Sequence, residues 1–402
     1  MIRACSIDPP RRRRLPAGFT MIELLVVILI LAILIALLLP AINGALRSAR
    51  NSAVGGEINQ LAQALASFKA KYGEYPPSRV LLIESGNYTN FVGSNFQLGP
   101  GDITVGQLAQ RSLASLRKFF PNVVFSTSGP IGTIGLANFY DFNGDNIPGA
   151  PNNPNAAYIL QGHECLVFFL GGIPFQDSSG TFSMAGFAKD PRNPFRNNIP
   201  LLPNGNPNPM YSNNRQPPLF EFNSVRLIPD GYIPYPANIV NQLGLVAPGI
   251  PGYLDSLGNR APVGVPGDPI NFFAYFSSYG NGGYDPNDVN FSEFDIHGTI
   301  PALKFWVNFP VPGGCASAPP NPYTSSFSVP PNGSATYQSP QTFQIISSGA
   351  DGLYGVGGRY ATDTADPLVL DTNTPSPYLT TDTTIRTRER DNITNFHNGR
   401  LD

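Results

Sequence analysis

Between Leu24 and Leu46 the chain carries no charged residue, and this run, LLVVILILAILIALLLPAINGAL, is 23 residues long. One helix of that length crosses a hydrocarbon layer of about 30 Å. A helix in a small soluble domain has no use for apolar side chains on every face over such a distance. The run therefore predicts a membrane-spanning helix rather than a buried one. Arg11, Arg12, Arg13 and Arg14 stand before it, and basic flanks stay on the cytoplasmic side. This predicts a single-pass membrane protein, its N-terminus cytoplasmic and everything after about residue 47 exported.

A cleaved secretory signal is the competing reading. Its apolar core runs to only about 7 to 15 residues, shorter than the run here. Glu23 also stands just inside the start of the run. A carboxylate at the bilayer centre costs about 2 to 3 kcal/mol, somewhat less near the edge, unless a cation partners it.

The residues Gly18-Phe19-Thr20-Met21-Ile22-Glu23-Leu24-Leu25-Val26, following a basic leader, closely resemble the class III signal of type IV pilins and type II secretion pseudopilins. The resemblance implies that a membrane prepilin peptidase cuts between Gly18 and Phe19 and N-methylates Phe19, and that Glu23 becomes the fifth residue of the mature chain. Pro40 falls where many members carry a helix-kinking proline. The chemistry agrees independently. Cleavage creates an α-amino cation at Phe19, and Glu23 of one subunit pairs with the amine of a neighbour, turning two costly charges into one pair.

Beyond the run, Val54, Ile58, Leu61, Leu65, Phe68 and Tyr72 recur at steps of three and four, one stripe of a helix. Arg50, Glu57, Asn59, Gln60, Gln63 and Lys71 lie largely off it. Heptads and flanking charges are too few for a coiled coil, so the stripe is expected to pack on a sheet. One helix from about Thr20 to Tyr72 is predicted, bent near Pro40 and ended by Gly73 and Pro76-Pro77. The stretch Phe68 to Pro77, FKAKYGEYPP, resembles the helix end of the major, G-type, pseudopilins.

Residues 78–340 depart from that family, whose members reach their C-terminal motif within a few dozen residues. The chain has 41 Gly and 42 Pro, and only 13% of its residues are charged. Breakers at this density exclude an all-helical bundle or a doubly wound enzyme as the whole. Residues 203–209 and 248–252 read as loops. Glu164 to Leu170, Pro269 to Phe276 and Lys304 to Phe309 read as buried strands, and Gln107 to Phe119 as a helix. Cys165 and Cys315 are the cysteines left beyond the leader. A disulfide between them and two separate buried thiols both fit.

Two places suit calcium. Asp141, Asn143 and Asp145 offer side-chain oxygens at alternate positions with Gly144 between, like the start of an EF-hand loop in which the carbonyl of the seventh position, Ile147, also binds. The twelfth position holds Asn152 instead of an acid, and an Asx-rich turn without an ion fits equally. Near the end, residues 343–352 and 390–396 resemble the terminal strand, Ser-x-Gly-x-Asp-Gly turn and closing segment of G-type pseudopilins. The resemblance implies a structural calcium held by Ser348 or Ser347, Asp351 and Asp391, with Asp363 or Asp366 as substitutes. A plain Gly turn beside a solvated acidic loop is the alternative.

The sequence lacks a phosphate-binding G-x-x-x-x-G-K-[ST] loop, H-E-x-x-H, G-x-S-x-G and a complete G-x-G-x-x-G, and His163, His297 and His397 stand apart. No basic stripe suits nucleic acid. A non-enzymatic subunit is expected, of the α+β, type IV pilin-like class. Its parts are a cleaved leader (1–18), the transmembrane half of the helix (19–46), an exported half (47–77) on an antiparallel sheet, a loop-rich β insertion (78–340) and a pseudopilin-like C-terminal segment (341–402). The resemblance implies a secretion filament built by self-assembly with other pseudopilins, a prepilin peptidase, an inner-membrane assembly platform and an ATPase. A pilus or tip subunit is the alternative, and an exported enzyme on a pilin-type tether a more distant one.

Overall fold

The computed structural model describes residues 20–98, 102–128, 139–147, 157–229, 240–241, 243–246, 249–257, 271–280, 282–289, 322–325, 336–352, 354–355, 357–368 and 385–402. The leader residues, Cys315 and the expected strand at 304–309 lie outside them. The chain divides into two compact units, residues 1–50 and 51–402.

In the first unit, helix α1 (Met21–Tyr72) begins. All its residues as far as Arg50 are exposed, apolar ones included, and its first half is the one described helix apolar and long enough to cross a membrane. Pro40 sits within the helix without ending it.

In the second unit, the rest of α1 buries Val54, Ile58, Leu61, Ala64, Leu65 and Phe68, the stripe read from the sequence. Gly73 then takes φ +88°, and its N–H donates to the Lys69 carbonyl at 2.7 Å, a left-handed cap that glycine adopts without strain. The aromatic end of the stripe meets helices where a sheet was expected. After the short α2 (Thr89–Val92) come α3 (Val105–Phe119) and α4 (Gly162–Gly171), and the Phe68 ring lies 5.1 Å from Phe119 of α3 and 5.7 Å from Phe169 of α4. Off the stripe, Glu57 is gripped by Arg226 through paired bonds of 2.6 and 2.9 Å and accepts the Tyr253 hydroxyl at 2.7 Å.

α3 matches its prediction. Thr104 and Gln107 cap it reciprocally. α4 does not: Glu164 to Leu170 reads as a strand and is a helix. Every residue from Gly162 to Gly171 is buried, so no polar face reveals the helical period. The Glu164 carboxylate accepts the Gln161 N–H at 2.9 Å, and Gly172 at φ +85° ends it. Cys165, on α4, is a free buried thiol.

The strands form small sheets. β1 (Val80–Ile83) pairs antiparallel with β2 (Ala157–Leu160), and β3 (Pro174–Gln176) with β4 (Phe182–Met184). β5 (Leu227–Pro229) pairs antiparallel with β6 (Pro251–Tyr253), although 248–252 reads as a loop. Gly252 explains the difference: a Cβ there would stand 2.5 Å from the Phe272 ring and 2.7 Å from His163, so the breaker is present for close approach. β7 (Ala274–Ser277), β9 (Phe343–Ser347) and β11 (Ile393–Thr394) make a three-stranded antiparallel sheet with β9 central. β8 (Tyr323–Thr324) and β10 (Gly358–Arg359) pair in parallel.

Just before β1, Arg79 is buried to 1% exposure. Its guanidinium forms two bonds to Asp102 (2.8 and 3.0 Å), reaches Asp285 at 2.9 Å and lies 3.3 Å from Asp288. Ser78 and Tyr279 donate to Asp288 at 2.5 and 2.6 Å. One cation thereby ties the segment after α1 to residues 102 and 285–288. Burial, and then the charge of Asp285, push the Asp288 carboxyl up to about 7 against the pull of Arg79 and Arg111.

Two outcomes follow from this cluster. Arg79→Met strands buried carboxylates and lowers stability by about 3 to 5 kcal/mol, measured by denaturant unfolding of the detergent-solubilised protein. The folded chain also holds a proton on Asp288 that the unfolded chain releases near the ordinary carboxylate value. That contribution is present in acid and lost as pH rises through about 7. The melting temperature falls from pH 5 to pH 8, and Asp288→Asn, which needs no proton, flattens that slope.

Candidate functional site

Three places carry the residues singled out in the sequence. The first is the start of α1. Gly18 and Phe19 lie outside the described residues. Glu23 folds back on Thr20: its carboxylate accepts the Thr20 N–H at 2.8 Å and hydroxyl at 2.7 Å, while the Thr20 hydroxyl accepts the Glu23 N–H at 3.3 Å. This reciprocal cap satisfies helix-end donors that otherwise have no partner. Thr20 was missed in the sequence reading, although Thr-x-x-Glu before an apolar run is the signal for such a cap. Between Thr20 and Leu46, Glu23 is the one charged residue.

The second is the loop after Phe139. Hydrogen bonds engage each of the three residues Asp141, Asn143 and Asp145. Asn143 accepts the Asp145 N–H at 3.2 Å and donates to the Asp145 carboxylate at 2.9 Å. Asp145 accepts the Ile147 N–H at 2.7 Å. Asp141 accepts the Asn146 N–H at 3.1 Å and the Asn197 amide at 2.7 Å through one oxygen, Oδ2. The tight path needs Gly144 at φ +72°, where a Cβ would stand 2.1 Å from the Pro174 carbonyl. Glu84, just past β1, joins the loop: one carboxylate oxygen each from Glu84, Asp141 and Asp145 lies within 4.8 Å of the others. Glu84 and Asp141 are buried and Asp145 is exposed. Burial pushes the Asp141 carboxyl up to about 7 and raises Asp145 as well. Glu84 stands 57 residues before Asp141, beyond the reach of a local motif.

The third is the turn after β9. Asp391, from the segment before β11, accepts the N–H groups of Ala350 and Asp351 at 2.7 and 3.0 Å. A Cβ on Gly349 (φ +69°) would stand 2.3 Å from the Asp391 carbonyl. Ser348 is buried and Asp351 exposed, and the Ser347 hydroxyl is bonded to the Asp255 carboxylate. The fold thus brings Ser348, Asp351 and Asp391 to one turn across the intervening residues, with Asp391 spent on backbone amides. Of the substitutes, Asp363 lies 3.4 Å from Arg359 and Asp366 lies 2.9 Å from Arg390.

A family model described as the prokaryotic N-terminal methylation motif matches residues 13–39. That match marks a type IV pilin-like, prepilin-type protein, implies processing by a prepilin peptidase, and agrees with α1 as a single membrane anchor. No curated protein and no solved structure matched the chain.

The turn after β9 gives a direct test. Asp391→Ala removes the acceptor of two N–H groups and lowers stability by about 1 to 2 kcal/mol, read as a fall in the denaturation midpoint. Asp391→Asn, which keeps one carbonyl acceptor, loses less.

Proposed function

We propose that this chain is a pseudopilin-like structural subunit of a type II secretion filament, polymerising through α1 to support protein export. The observation that carries the reading is the methylation motif over residues 13–39 seated on a helix that buries none of its side chains before Arg50 and holds one carboxylate, Glu23, at its lip. Such a helix is covered by lipid while the subunit waits and by neighbouring helices once it assembles. Cleavage after Gly18 frees a cation at Phe19. A neighbour's Glu23, released from Thr20, neutralises it in a setting of low dielectric, where a matched pair is far cheaper than two lone charges. The work of extraction belongs to a separate ATPase, and the chain's own part is non-covalent.

A second reading rests on bulk. Residues 51–402 form one compact unit, large for a subunit repeated along a thin filament, and this favours a low-copy position at the tip of a filament or pilus. Labelling of intact filaments separates the two: a marker on the body decorates the shaft in the first case and one end in the second.

Mass spectrometry of the native protein is expected to find a chain beginning at N-methylated Phe19, whereas a chain beginning beyond Leu46 defeats the assembly reading. Glu23→Ala is expected to leave the processed subunit in the membrane but cut its cross-linking to neighbours at least about tenfold, the loss of one buried charge pair. Undiminished cross-linking would remove the pairing role.

A further inference from the structure

We propose that Glu84, Asp141 and Asp145 form a calcium site that ties the end of β1 to the 139–147 loop. The sequence pattern stops short of an ion-binding loop because its twelfth position is Asn152, and the fold supplies the lacking acid from elsewhere in the chain, at Glu84. Three carboxylate oxygens meet within 4.8 Å, a spread that calcium spans with bonds of about 2.3 to 2.6 Å on either side. A second observation points to a ligand. Asp141 is fully buried, and while its Oδ2 takes the Asn146 and Asn197 bonds, its Oδ1 is buried with no hydrogen-bond partner of normal geometry among the described residues. A buried carboxylate oxygen left without a partner, on a carboxylate that gathers with two others, is costly unless a cation meets it.

Among the described residues, the cation that senses the Asp141 charge does not fill this role. Arg215, which senses the Asp141 charge, spends its N–H groups on the carbonyls of Ala185, Gly186, Arg196, Asn197 and Ser212. The donors are oxygens alone, without His or Cys, which selects a hard cation over zinc or copper. Asp145, the exposed member, leaves a route for the ion from solvent. Glu84 accepts the Tyr140 N–H through its backbone carbonyl at 2.9 Å, so strand end and loop are already in register when the ion arrives. The inference does not depend on the filament reading, because it concerns the body alone.

The test uses the full chain in detergent, stripped with a chelator and titrated with calcium chloride, followed by calorimetry and by thermal melting. One calcium per chain is expected, with a melting temperature that rises with calcium up to about 10 mM. Glu84→Gln and Asp145→Asn are expected to weaken calcium binding about tenfold or more. Asp145 is exposed, and its Asn replacement still accepts the Ile147 N–H and gives up only the exposed bond from Asn143, so that variant keeps the calcium-free fold even where Asp141→Asn does not. Absence of heat and of any melting shift would overturn the proposal. So would a shift that survives Glu84→Gln and Asp145→Asn but vanishes in Asp351→Asn, since calcium would then sit at the turn after β9.

Discussion

A helix that is apolar on every side and buried on none cannot remain in water. The stretch from Leu24 to Leu46 has this character, and at about 25 cal/mol per Å² of exposed apolar surface the cost of leaving it bare far exceeds the marginal stability of an ordinary domain. Something must always cover it, whether acyl chains or helices of its own kind. That constraint gives Glu23 its importance: a charge at the end of such a rod is tolerable only with a partner. In the single chain the partner is Thr20, through both its N–H and its hydroxyl.

The outer part of the same helix obeys a different rule. From Val54 onward it buries one stripe and keeps the other faces polar, and two kinds of contact hold it. Phe68 and Tyr72 enter an aromatic cluster with Phe119, Phe120 and Phe169. On another face Glu57 is held by Arg226 and Tyr253. The chain then turns at Gly73 and passes directly to Arg79 and its three carboxylates. Two ionic anchors thus bracket the helix end.

What the sequence revealed and what it hid divide along physical lines. Features encoded by local period or local chemistry are legible: the apolar run, the stripe from Val54 to Phe68, and α3 with its periodic leucines; the terminal strand β9 is legible through the resemblance to G-type pseudopilins. α4 is not, because a segment buried on all sides shows no alternation by which helix and strand differ. β6 was hidden by its glycine and prolines, whose use there is to admit Phe272 and His163 rather than to break the strand. At the candidate sites, spacing names Asp141, Asn143 and Asp145 and resemblance names Asp391, and the fold gathers Asp141 and Asp145 with Glu84. Glu84 is not legible in that way, since it stands 57 residues from Asp141 and the fold, through the Tyr140 N–H bond to the Glu84 carbonyl, brings it near. Thr20 is legible by a local rule, as Thr-x-x-Glu before an apolar run, although the expectation above names only an ionic partner for Glu23.

If the chain assembles as proposed, the reciprocal cap at Thr20 and Glu23 bears on how readily subunits come apart. Thr20 is covalently fixed three residues away and so competes at a high effective concentration. In the proposed filament, a neighbour's amine must win a swap of partners instead of capturing a naked charge. Each step of growth is therefore an exchange with a modest net gain, and each step of dismantling returns the carboxylate to a partner that never left. A polymer joined in this way is suited to repeated building and recycling, with its spent subunits restored to the bilayer intact.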